Sequence, residues 1–197
     1  MALGGIKRMR YFTTFFTSVL LCGLLAGCGN NIPVTPQERL NSATDKLAKA
    51  KTDEERFYAL NDAAKQSFVL GQTEDARRYA SDLLALLPKF PRDWNYGNAV
   101  HDGNVVLGRI AAREGRMEDA KRHLLEAGRS PGSPQMNSFG PNMGLAKDLL
   151  DKGQRDVALE YFELCRKFWR MDRGRLDQWS QEVKAGRVPD FGANLVY

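Results

Sequence analysis

The hexapeptide Gly71-Gln72-Thr73-Glu74-Asp75-Ala76 recurs in altered form as Gly115-Arg116-Met117-Glu118-Asp119-Ala120 and as Gly153-Gln154-Arg155-Asp156-Val157-Ala158. Each copy stands between two stretches whose apolar residues follow helical i, i+3 and i+4 spacing. A glycine permits the left-handed turn that ends one helix, and the alanine at the end of each copy lets the following helix pack closely. The sequence therefore predicts three helix–turn–helix hairpins.

The middle copy has a set of small and large residues at characteristic positions, namely Leu107, Gly108, Gly115, Ala120, Leu124 and Ala127. Through these signature positions the hairpins resemble the repeats of the tetratricopeptide superfamily. The first copy also ends with the expected Pro88, whereas the signature Trp and Tyr of the first helix are missing from all three copies. Over about residues 53–170, the resemblance implies an all-α solenoid in which the first helices line a concave groove.

The spacing of the copies predicts extra loop between the hairpins. Gly71 and Gly115 are 44 residues apart, and Gly115 and Gly153 are 38 residues apart, whereas the superfamily repeat is ~34 residues long. Residues 88–98 and 128–142 are the segments that would carry the additional length.

Both ends of such an array need a cover, because a terminal hairpin exposes the face it would give to a neighbour. Capping boxes at Thr35 to Glu38 and at Thr52 to Glu55 predict two helix starts, and the first of these helices would cover one end. An apolar stripe of Leu176, Trp179 and Val183 suits the other end.

The C-terminal segment, residues 186–197, is predicted to be a non-helical tail that follows a helical domain of residues 36–185. Its apolar residues favour packing along the body, with a docking peptide as the alternative.

The N-terminal segment has the outline of an export signal. Residues 1–10 carry Lys7, Arg8 and Arg10, and residues 11–27 are uncharged and mostly apolar. Seventeen residues form a helix somewhat shorter than the ~30 Å hydrocarbon slab, so a retained membrane span is the weaker alternative.

Leu25-Ala26-Gly27-Cys28 resembles the lipobox of bacterial lipoproteins at all four positions. The resemblance implies that residues 1–27 are a signal peptide, that Cys28 receives diacylglycerol and an acyl chain such as palmitate, and that residues 28–35 form a lipidated tether. Several acyl chains make a stable membrane anchor. No Asp follows Cys28, so the resemblance favours the outer membrane, with the helical domain in the periplasm.

The net charge bears on the class of partner, and the cysteine content agrees with that location. The net charge of +5 comes from 29 basic and 24 acidic residues, and without the three leading cations 26 basic residues remain. Such a small surplus argues against nucleic acid as a partner. With Cys22 removed and Cys28 lipidated, Cys165 has no disulfide partner; we expect it to be a small core residue, with a reactive thiol as the alternative.

Motifs for catalysis, metals and cofactors are mostly missing from the sequence. Residues 128–132 match the letters of a nucleophile elbow but lack the strand before the Ser and a later His. Zinc and nucleotide sites lack their ligand spacing, so we expect no metal, no cofactor and no enzymatic activity. His101 and Asp102, near Trp94 and Tyr96, are weak candidates for an acid–base pair; a locally bonded histidine is the simpler interpretation.

Three cations, Lys65, Arg109 and Lys147, each stand six residues before a turn glycine. The resemblance places them as a row in the concave groove, where charge-assisted bonds would favour an acidic peptide or a C-terminal carboxylate. The alternative is a solvated cationic face without a ligand. The remaining predicted groove residues are Asn61, Tyr58, Asp102 and Val105.

Residues 138–143 form a second loop of interest, in which Phe139 or Met143 would either anchor a partner or pack against a neighbouring hairpin.

Together these patterns predict a membrane-anchored envelope lipoprotein that binds a protein or peptide and supports assembly of an envelope complex. The alternatives are a cell-wall-associated enzyme or enzyme activator, which would use His101, Asp102 and the loop at residues 94–96, and an immunity or inhibitor lipoprotein.

Overall fold

The computed structural model describes Met1 and residues 34–197 of the chain. The predicted signal peptide, Cys28 and nearly all of the tether lie outside the described residues. The part that is described contains helices and loops without a β-strand, which confirms the all-α class. Its helices are α1 (Pro36–Lys49), α2 (Asp53–Val69), α3 (Thr73–Leu86), α4 (Tyr96–Arg113), α5 (Met117–Gly128), α6 (Pro134–Phe139), α7 (Gly144–Leu150), α8 (Arg155–Cys165) and α9 (Arg175–Lys184), with short 3-10 turns at Leu87–Lys89 and Gly192–Leu195.

The repeated hexapeptide forms the same turn in each of its copies. Gly71, Gly115 and Gly153 have φ values of 75°, 77° and 75°, in the left-handed region. After each glycine, the next backbone N–H reaches back five residues to a carbonyl of the first helix at 2.9 Å, as Gln72 does to Ser67. This closure satisfies a carbonyl that the helix end would otherwise leave free. The turns join α2 to α3, α4 to α5 and α7 to α8.

Both predicted capping boxes are confirmed. The Thr35 hydroxyl accepts from the Glu38 N–H at 3.2 Å, and the Glu38 carboxylate accepts from the Thr35 N–H at 2.8 Å. Thr52 and Glu55 repeat the arrangement at the start of α2. Helix starts α1 and α2 are therefore fixed locally, by groups that the sequence itself supplies.

The helices pack in chain order. The first helices α2, α4 and α7 contact one another in succession, while α5 contacts α8, α1 covers α2 and α9 contacts α8. Helix α1 was expected to cover one end, and on it Leu40 and Ala43 are buried while Leu47 is partly buried. The stripe of Leu176, Trp179 and Val183 on α9 is buried at the other end. None of the helices within residues 34–197 is long and apolar enough to cross a bilayer.

The tail packs on the body, as its apolar residues predict. Phe191 is buried, with its ring centroid 4.9 Å from that of Trp179 and 6.1 Å from that of Phe162. Contrary to the expectation of a non-helical tail, it includes the 3-10 turn Gly192–Leu195. The Asn194 side chain donates to the carbonyls of Phe139 and Pro141 at 3.0 Å each, which ties the tail to the loop before α7.

The two inter-hairpin segments are in contact with each other. A Cβ atom at Gly97 would lie 1.8 Å from the Gly132 carbonyl oxygen, so this approach requires glycine. Ser130 Oγ donates to the Gly97 carbonyl at 2.7 Å, and Ser133 Oγ donates to the Asn98 side chain at 2.6 Å. The second segment also contains the short helix α6, which the sequence analysis did not predict.

Candidate functional site

A cleft of about 790 Å³ lies where the inter-hairpin segments, helices α1, α2 and α4, and the tail come together. Its lining comes from α1 and α2, from residues 94–102, from residues 135–142 and from the tail residues Val196 and Tyr197. This volume is in the range of small-ligand and peptide-segment sites. We refer to this cavity as the cleft.

Large apolar side chains stand exposed at its opening. Trp94 is 56% exposed and Phe139 is 75% exposed, and Val196 is also exposed. Trp94 is stacked on Tyr58, with ring centroids 6.0 Å apart and planes at 24°. Exposed aromatic residues at the edge of a concave surface are typical binding anchors.

The Tyr58 ring is held in place by its hydroxyl, which donates to a carboxylate oxygen of Asp93 at 2.6 Å. This hydrogen bond raises the pKa of Tyr58, because ionisation would remove the donated proton. The stacked pair of Tyr58 and Trp94 is therefore a fixed surface rather than two independent side chains.

Asn61 provides an unsatisfied polar group in the same cleft. Its side chain lines the cavity and the residue is only 6% exposed, yet its Oδ1 atom has no hydrogen-bond partner. A buried carbonyl oxygen without a donor is costly. Because this oxygen is itself covered, a ligand N–H or O–H in the cleft would reach it after a small rotation of the Asn61 side chain.

A partly buried polar network crosses from α2 to α4. The Lys65 ammonium lies 3.2 Å from the Asp102 carboxylate and 3.4 Å from that of Asp62. Burial by itself would raise the pKa of Asp102, but Lys65 and the hydrogen bond from His101 lower it to about 2. The pKa of Lys65, which burial would lower, is raised by the two carboxylates. The pair is therefore fully ionised at neutral pH.

His101 and Asp102, the candidate acid–base pair, are in contact at 3.1 Å. With its Nδ1 on Asp102, the imidazole has its Nε2 3.0 Å from the hydroxyl of Tyr161, and the residue is almost completely buried. Both ring nitrogens are used inside the protein, which is the arrangement of a histidine that organises its surroundings. The structure thus gives no free nitrogen for proton transfer to a molecule in the cleft.

Of the predicted row of cations, Lys65 lines the cleft, whereas Arg109 and Lys147 do not. Arg109 pairs with Asp148 on α7, with Nε 2.7 Å from the carboxylate, and lies beside Tyr197 of the tail. Lys147 pairs with Asp151 one turn along the chain at 2.6 Å. The row was predicted from position alone, and the aspartates that neutralise each cation were overlooked.

Three of the other four predicted groove residues line the cleft. They are Tyr58, Asn61 and Asp102. Val105 does not, because it is completely buried in the hydrophobic core. It lies on the face of α4 that packs inside the molecule, so it has no surface to offer a ligand.

Cys165 is buried and has no disulfide, as expected of a core residue. Burial raises the pKa of its thiol, so the reactive thiolate is suppressed. In the described part of the chain, no group of three or more His, Cys, Asp or Glu residues is placed to hold a metal ion.

Sequence reasoning missed that the second loop and the tail contribute to the same site as Tyr58 and Asn61. Phe139 is exposed and lines the cleft, whereas Met143 is completely buried. The Gly140-Pro141 pair next to Phe139 was a usable signal, since it fixes a turn that can hold the preceding side chain outward. The tail's contribution had no local signal.

Comparison with protein-family models, curated proteins and solved structures finds no match to this chain.

Proposed function

We propose that this protein is a lipid-anchored bacterial envelope lipoprotein that binds an extended segment of a partner protein in the cleft and supports assembly of an envelope complex. The lipobox-like Leu25-Ala26-Gly27-Cys28 supports the anchor. The repeated turns and the successive contacts of α2, α4 and α7 support a tetratricopeptide-like array of hairpins. The binding role is inferred from the residues that line the cleft.

The observation that carries this proposal is the combination of exposed aromatic anchors and an unpartnered buried amide in one cavity. Trp94 and Phe139 offer apolar contact area at the opening, and Asn61 offers an unmet acceptor inside. A peptide supplies both complements, because it carries apolar side chains together with backbone N–H groups.

The tether restricts where the partner must be. Residues 29–35 span at most ~25 Å when fully extended. A domain anchored through Cys28 on the outer membrane therefore stays near the periplasmic surface of that membrane. The proposed partner is an envelope protein that presents a segment there.

Site-specific photo-crosslinking in cells tests the proposal. A benzophenone amino acid placed at Phe139 of the full-length protein should give a discrete protein adduct on illumination, and the adduct should disappear when Trp94→Asp is added. The matched control is the same amino acid at Met171, which is exposed but does not line the cleft. Adducts of equal yield at both positions, or an adduct at Phe139 that survives Trp94→Asp, would exclude the cleft as the binding site.

A further inference from the structure

The side-chain charges that line the cleft balance and are largely paired within the protein. Three lysines, Lys46, Lys49 and Lys65, face three acids, Glu55, Asp62 and Asp102. Lys65 is held by two of these acids, and Lys49 pairs with Asp45 at 2.7 Å. A charged ligand group entering the cleft would lose water without gaining a free counter-charge inside.

The other two charged residues that line the cleft, Glu55 and Lys46, also offer no buried counter-charge to a ligand. The Glu55 carboxylate accepts from the backbone N–H groups of Lys51 and Thr52, so it is used to cap α2. Lys46 makes no ion pair within residues 34–197, but it is exposed on α1, where solvent and salt screen its charge.

The contacts that are free for a ligand are apolar or amide in nature. The exposed faces of Trp94 and Phe139 favour apolar or aromatic side chains. The Asn61 side chain is a primary amide, which can pair with a peptide group by accepting its N–H and donating to its carbonyl. An extended backbone presents such groups with side chains on alternate sides, so one side chain can reach the aromatic opening while the backbone meets Asn61.

From this balance of charge and free contacts, we infer that the cleft selects an uncharged, apolar-rich segment in extended form, and not the acidic segment or C-terminal carboxylate that the row of cations suggested. This inference rests on the proposed function, since it specifies the chemistry of the segment that the cleft would take. The specificity comes from the two inter-hairpin segments and from Asn61.

Titration with defined probes tests the inference. The full-length lipidated protein in detergent is titrated with three hexapeptides, each acetylated and amidated at its ends, in which phenylalanine and leucine alternate with serine, with aspartate or with lysine. A neutral chitin tetrasaccharide is the fourth probe. The readout is tryptophan fluorescence, and the exposed Trp94 is the sensitive reporter because Trp169 and Trp179 are buried. A Trp94→Phe variant identifies the contribution of Trp94 to the signal. Calorimetry gives the affinities.

The serine peptide should bind at least about tenfold more tightly than the aspartate and lysine peptides. Asn61→Ala should weaken its binding by about tenfold, because one amide partner of the ligand is lost. Asn41→Ala is the matched control, since Asn41 is an exposed asparagine that does not line the cleft, and it should leave the affinity unchanged.

Tighter binding of the aspartate or lysine peptide would overturn the inference while leaving the proposed function in place. Binding of the tetrasaccharide in preference to every peptide would overturn it in favour of a glycan ligand. Failure of all three peptides to bind would also overturn it, and the crosslink at Phe139 would then decide separately whether the cleft binds a partner at all.

Discussion

The Lys65 ammonium on α2 lies 3.2 Å from the carboxylate of Asp102 on α4, so one ion pair joins the first helices of two successive hairpins. Arg109 and Asp148 form the corresponding link from α4 to α7 at 2.7 Å. Two of the three cations that suggested an anionic ligand therefore stabilise the stacking of the hairpins. The sequence correctly placed these cations on the first helices, but their ion-pair partners are aspartates of the same chain.

Removal of Lys65 should destabilise the protein because it leaves the largely buried Asp102 carboxylate without its cation. We expect Lys65→Met to lower the free energy of unfolding by about 3 kcal/mol, measured by urea denaturation. Lys147→Met is the matched control, since its pair with Asp151 is exposed and within one helical turn, and should cost about 0.5 kcal/mol or less. Equal losses in the two variants would contradict a special role for the link from α2 to α4.

Stability should fall in acid as Asp102 is protonated. The folded pKa of Asp102 is about 2, below the usual value of 3.8 for an aspartate. The ionised carboxylate therefore contributes stability above about pH 4, and this contribution, about 2 kcal/mol, is lost as the pH falls towards 2. Denaturation of the wild type and of Asp102→Asn should show converging stabilities over this window. Parallel curves for the two proteins would show that the carboxylate does not gain stability from Lys65.

Asn61 should reduce stability in the unliganded protein, since its buried Oδ1 atom lacks a donor. Replacement by leucine, which is similar in size and needs no hydrogen bond, should raise the free energy of unfolding by about 1 kcal/mol. The same variant should lose the peptide affinity described above. A lower melting temperature for Asn61→Leu would indicate that the amide is already satisfied in the free protein.

Two glycines should respond very differently to alanine. At Gly115 a Cβ atom would meet nothing within 4 Å, so Gly115→Ala should cost only the strain of a φ of 77°, roughly 1 kcal/mol. At Gly97 the Cβ atom would collide with the backbone of Gly132, and the loss should be at least about 3 kcal/mol. Thermal denaturation measures both, and a mild effect at Gly97 would mean that the two inter-hairpin segments do not touch.

Lipidation at Cys28 is tested by metabolic labelling with a clickable palmitate analogue. The wild type should carry the label and partition into detergent, whereas Cys28→Ala should remain unlabelled and retain residues 1–27. Cys22→Ala is the control and should behave as wild type, since Cys22 precedes the predicted cleavage point. Label that persists in Cys28→Ala would refute the lipobox interpretation.

The local elements of this fold could be read from the sequence. Thr35, Thr52 and the three turn glycines act on neighbouring backbone groups, so their positions fix helix starts and ends without reference to distant residues. The apolar stripe on α9 was predictable for the same reason, because helical periodicity is a local property. Helix α6 was missed because its signals, Ser133 and Pro134, fall in a segment rich in turn-forming residues.

The cleft was only partly predictable. Tyr58, Asn61, Lys65 and Asp102 were proposed from their positions on the first helices, and all four line it. Phe139 and Tyr197 join them through contacts between distant parts of the chain, such as those of Asn194 with the loop before α7. Such contacts depend on how the hairpins stack, which no single segment encodes.

By itself the sequence determined the helical class, the hairpin turns and the expectation of a lipid anchor, because each depends on residues close together in the chain. Only the tertiary structure decided which cations are neutralised and which polar atoms stay unpaired, since an ion pair or an unsatisfied amide is a property of two or more helices in contact. The proposed preference of the cleft for uncharged segments depends on these contacts, because burial and pairing determine how much hydration free energy a charged group would lose on entering it.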